Sequence, residues 1–104
     1  MANYLLVYHG GSQPESAEAG AKVMEAWTNW FSVLGESVVD RGNPVTQVRT
    51  VANNGTVSGG GINPSSGYSV VTADSLDAAV NLAKGCPILN GGGGSVEVAE
   101  THGM

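Results

Sequence analysis

Two histidines, nine carboxylates, four basic residues and one cysteine are the main titratable stock of this 104-residue chain. Of these, His9 is best placed for chemistry, because it closes the apolar run Tyr4 to Tyr8 beside Gly10-Gly11, where strands hand over to loops and sites commonly form. Its functional reading is a general acid or base, and its structural reading is a hydrogen-bonded residue at a sheet rim. The chemical partner to consider is Asp40. If the strands carrying them both flank a third strand, their backbones lie about 9.6 Å apart, so a water-bridged pair is expected rather than a direct dyad. Trp27, Trp30 and Phe31 recur at helical spacing and are either core or the lining of an aromatic pocket. Tyr8 and Tyr68 could orient a ligand there or simply pack. The candidate ligand-binding set is therefore Tyr8, His9, Trp27, Trp30, Asp40 and Tyr68. Asp40 and Arg41 stand just before Gly42-Asn43-Pro44, where an ion pair and side-chain-to-backbone bonds that anchor the turn are the commoner use.

Other chemistries find little support. Gly91 to Gly94 lack the Gly-Lys-Ser/Thr ending of a phosphate loop and lead into a strand rather than a helix N-terminus. Two histidines and one cysteine in separate segments have no metal-ligand spacing, so neither a metal nor a cofactor is expected. Cys86 beside Pro87 reads as a small buried apolar residue.

The elements that would position these residues follow from periodicity. Tyr4 to Tyr8, apolar at every position, reads as a central strand covered on both faces. Ser12-Gln13-Pro14-Glu15 offers a capping box, and a helix follows with Gly20, Val23, Met24, Trp27, Trp30, Phe31 and Leu34 in one stripe. Gly35 supplies its left-handed stop. Val38 to Arg41 is a short strand ended by the Gly-Asn-Pro turn. Val45 to Ala52 and Thr56 to Ser58 make a hairpin across Asn54-Gly55, read as a type I′ turn. Gly67 to Thr72 is a further strand, and Asp74 caps a second helix bearing Leu76, Ala79, Val80 and Ala83 on one face, with Gly85 at its left-handed end. Ser95 to Glu100 alternates as a strand with one buried face.

The predicted class is thus α+β: a ferredoxin-like βαββαβ antiparallel sheet with both helices on one face and an extra hairpin. A chain of this size buries about 64% of its unfolded surface, enough for one core, so residues 1 to 104 form a single domain. Four basic against nine acidic residues, a net charge of -5, give no basic face for nucleic acid or anionic membrane. The longest apolar run is far short of a membrane span and no basic segment precedes it, so a cytoplasmic protein is expected; the single cysteine agrees with a reducing compartment.

The chain resembles the YCII-related family over nearly its whole length. The resemblance is carried by Tyr4 to Tyr8, Trp27-Thr28-Asn29-Trp30 with Leu34-Gly35, Val39 to Pro44, Gly67 to Val71, Ala73 to Ala79, Cys86-Pro87 and Ser95 to Val98, which are specific in combination. It implies a homodimeric α+β barrel in which two ferredoxin-like subunits face their open sheets together. It implies little about activity, since relatives on that fold include a dehydrochlorinase, isomerases and monooxygenases. Some YCII-like proteins carry an Asp at the end of strand one and a His inside helix one; here Gly10 or Gly11 stands near the first place and no His lies between Ser12 and Leu34. An activity resting on that pair does not transfer. Two functions are carried forward: binding or transformation of a small weakly polar organic molecule between helix one and the sheet, or a non-catalytic dimeric module for assembly or regulation.

Overall fold

A computed structural model describes residues 1–11, 15–90 and 93–103. Its strands are β1 (Ala2–His9), β2 (Val38–Asp40), β3 (Arg49–Val51), β4 (Val57–Gly59), β5 (Ser65–Ala73) and β6 (Ser95–Glu100), and its helices α1 (Ala17–Leu34) and α2 (Leu76–Ala83). Four strands pair antiparallel in the order β2-β5-β1-β6, while β3 and β4 form a separate hairpin. The class is α+β, compatible with a ferredoxin-like fold.

Alternation along β1 divides the sheet. Tyr4, Leu6 and Tyr8 are buried together with Val71 and Ala73 of β5, and Ala79, Ala83, Trp30, Leu34 and Cys86 complete the core above them. Leu5 and Val7 take the other face and are half-buried, opposite Val70 of β5 and Ala99 and Glu97 of β6. Among the described residues, the helix side chains of the core pack on the Tyr4, Leu6 and Tyr8 face and not on this one.

Both helix starts differ from the sequence reading. The first helix begins at Ala17, where Ser16 is the cap and its Oγ accepts from the Ala19 N–H at 3.1 Å; the expected cap Ser12, with Gln13 and Pro14, lies outside the described residues. Two serines four residues apart offer the same cap chemistry, and Glu15 precedes the helix instead of closing a box. The second helix is capped by Ser75, which accepts from the Ala78 N–H at 3.1 Å, and not by Asp74. Gly35 ends α1 at a φ of 56° as expected, but Gly85 has no positive φ. Gly85 serves close approach: a Cβ there would lie 3.3 Å from the Trp30 indole.

The α1 stripe is only partly core. Trp30 and Leu34 are buried and Trp27 and Phe31 are half-buried, whereas Val23 and Met24 stand exposed at 43% and 66%. Beyond β2 the chain stays beside β5 through the Pro44–Gly67 bridge and the Val45 N–H to Ser66 carbonyl bond, then runs out into the β3–β4 hairpin. Its turn is not type I′, since that needs positive φ at two successive residues and only Gly55, at 89°, has it. The Gly55 N–H bonds the Ala52 carbonyl and the Ala52 N–H bonds the Thr56 carbonyl, the three-residue loop in which a type I turn ends on a left-handed glycine.

Candidate functional site

Where α1 faces the β1–β5 pair, a cleft of about 390 Å³ opens between the helix, the sheet and the turn after β2. Its helix wall is Met24, Trp27 and Phe31, its floor Tyr8, Gly67 and Ser69, and its far rim Arg41 to Pro44, with Ile88 at one end. The wall is an aromatic cluster: Trp27 meets Tyr8 edge-on at 5.0 Å and Trp30 edge-on at 5.7 Å, and Phe31 lies 5.0 Å from Trp30. Such edge-to-face contacts fix ring orientation as well as burying area.

A short polar chain ties the floor to the rim. The Tyr8 hydroxyl donates to Ser69 Oγ at 2.7 Å, and Ser69 Oγ donates in turn to the Arg41 carbonyl. Asp40 accepts from the Gly42 N–H at 2.8 Å, which closes the turn that carries Arg41. The guanidinium of Arg41 then lies 5.2 Å from the centre of the Phe31 ring, a cation–π contact. The expected Asp40–Arg41 ion pair is not among the salt bridges of the described residues. Gly67 lets floor and rim approach closely, since a Cβ there would lie 3.2 Å from the Asn43 carbonyl oxygen and 3.3 Å from the Tyr8 ring.

The sequence candidates therefore divide. Tyr8, Trp27 and Tyr68 border the cleft. Trp30 lies behind it, buried, with its indole N–H donating to the Leu82 carbonyl at 3.2 Å, so it supports the wall and has no donor left for a ligand. Asp40 shapes the rim through Gly42 rather than lining the space. His9 does not border the cleft, because it follows Tyr8 in β1 and so projects to the opposite face. There its Nδ1 lies 2.9 Å from the Asn63 carbonyl and its Nε2 3.2 Å from Glu97 Oε1; the carboxylate it meets is Glu97, not Asp40. The sequence reading missed Arg41, Ser69 and Gly67 as site residues. For Arg41 a signal existed, since it is one of only four basic residues in the chain.

Among the described lining residues, Tyr8 and Arg41 are titratable groups with a definite place, and the arrangement can enclose a ring and meet one polar group. Burial pushes the Tyr8 phenol up from 10.0 to about 12, a rise that the Ser69 hydrogen bond partly offsets. Burial likewise pushes the Cys86 thiol up from 9.0 to about 11. Both folded pKa values exceed the unfolded ones, so the native state holds protons that the unfolded chain loses, and stability falls as pH rises from about 9 to about 12. Denaturant midpoints measured across that range should decline, and less steeply in Cys86→Ala and Tyr8→Phe. A flat profile would show both groups titrating as though exposed.

A scan of the chain against protein-family models matches none, and comparisons with curated proteins and with solved structures find no match. Among the described residues no helix is long and apolar enough to cross a membrane.

Proposed function

We propose that this chain is a YCII-like, ferredoxin-like βαββαβ subunit that binds a small weakly polar organic molecule in the cleft between α1 and the sheet. The observation that supports this reading is the cleft itself, walled by Trp27, Phe31 and Tyr8, which are fixed by one another and by Ser69. A cleft of about 390 Å³ with mostly apolar walls and few polar groups has the character of small-molecule sites. Thermal-shift screening with small aromatic and lactone compounds tests it. Compounds that stabilise the parent should lose their effect in Met24→Trp, which fills the cleft from an exposed position, and stabilisation that survives this substitution would place binding elsewhere.

The subunit pairs with a second copy through the face of the sheet opposite the helices, forming a dimeric α+β barrel. Supporting this are Leu5, Val7, Val70 and Ala99, which share that face half-buried, and the apolar Val51, Val57 and Ile62 exposed along the hairpin and the loop after it. A second sheet related by a two-fold axis covers such a patch with a copy of itself, and a stable interface of this kind buries more than about 1,000 Å² in total. Sedimentation equilibrium at micromolar concentration should give twice the single-chain mass of 10.5 kDa, and Leu5→Glu should shift it toward one copy. A parent protein sedimenting at 10.5 kDa would overturn the pairing.

A further inference from the structure

Among the described residues that line the cleft, Arg41 is the one cation, and it forms no salt bridge with another described residue. Of the chain's basic residues, Lys22 lies 4.0 Å from Glu18 and Arg49 donates to the Val48 carbonyl, while Arg41 borders the cleft with its guanidinium 5.2 Å from the Phe31 ring centre. No carboxylate of the described residues forms a salt bridge with it, and its neighbour Asp40 is engaged by the Gly42 N–H. Stacking over a ring holds a guanidinium plane while leaving its N–H edge open, and that edge matches a carboxylate with two parallel hydrogen bonds. Ser66 is also among the residues that border the cleft, and its hydroxyl is buried with no hydrogen-bond partner among the described residues.

We propose that the cleft takes an apolar, ring-bearing monocarboxylate, its body between Trp27, Phe31 and Tyr8 and its carboxylate on Arg41 at the mouth. This deepens the small-molecule reading and rests on it. One charge is specified by the site: a single guanidinium pairs one carboxylate, and a dianion would leave a charge unpaired beside apolar walls in a chain of net charge -5.

The test uses hydrocinnamate and its near-isosteric neutral amide, titrated calorimetrically into the intact protein and into Arg41→Gln. In the parent the acid should bind about tenfold tighter than the amide, the worth of one charge-assisted contact at a wet rim. In Arg41→Gln the acid should fall to the level of the amide, and continued binding of the amide shows that the variant is folded. Equal binding of acid and amide by the parent would overturn the monocarboxylate inference and leave the small-molecule reading standing. An acid preference that persists in Arg41→Gln would overturn the assignment to Arg41. Failure of both compounds to bind the parent would overturn the inference together with the reading beneath it.

Discussion

Replacing Trp30 by alanine is expected to cost about 3 to 5 kcal/mol of folding stability, the range found when a buried large aromatic is truncated. Trp30 is 6% exposed, packs against Gly85 and Phe31, and donates its indole N–H to the Leu82 carbonyl, so one substitution opens a void and removes a side-chain hydrogen bond from a carbonyl that keeps the Gly85 N–H at 3.3 Å. It also removes the ring on which Trp27 leans, so the cleft wall should loosen with the core. Phe31→Ala should cost clearly less, because that ring is half-buried at the cleft. Denaturant unfolding of the two variants makes the comparison. Equal losses would mean that the cleft is closed and that both rings are core.

The second large effect is expected at Gly42. Its φ of 73° lies in the left-handed region, and a Cβ there would overlap the Tyr68 carbonyl oxygen, which is backbone and cannot swing aside. Gly42→Ala therefore combines backbone strain with an overlap that only a shift of the turn relieves, and should cost about 2 to 4 kcal/mol. Gly55→Ala is the control. Gly55 also has positive φ, at 89°, yet meets nothing within 4 Å, so it carries strain alone, about 1 to 2 kcal/mol. If Gly42→Ala costs no more than Gly55→Ala, the close approach to Tyr68 is wrong. Because the turn sets Arg41 over Phe31, Gly42→Ala should weaken carboxylate binding as well.

Much of the fold was legible because it depends on short-range pattern. The uninterrupted run Tyr4 to Tyr8 marked a strand with neighbours on both sides, and β1 is paired by both β5 and β6. The caps were less legible, since adjacent Asp74 and Ser75 and the two serines Ser12 and Ser16 offer nearly the same hydrogen-bond chemistry, and tertiary packing chooses between them. Helical spacing put Met24 and Trp30 in one stripe, but how far that stripe is covered depends on the sheet beneath it, which periodicity does not encode. The site divided along the same line. Trp27 and Tyr8 were visible as aromatics on elements that must face each other, whereas His9 drew attention by its type alone, although alternation with Tyr8 already sends it to the other face. Arg41 was read as a turn anchor because its sequence neighbour is Asp40. Its contact with Phe31 joins the end of β2 to α1 and exists only once the sheet is assembled.

The cleft's role is tested most directly by the two indole N–H signals in proton–nitrogen correlation NMR as small aromatic compounds of low polarity are titrated in. Trp27, on the cleft wall, should move saturably and further than Trp30, which is buried behind it and bonded to Leu82. Saturable shifts confined to residues away from Trp27, or none up to millimolar ligand, would contradict a small-molecule site between α1 and the sheet.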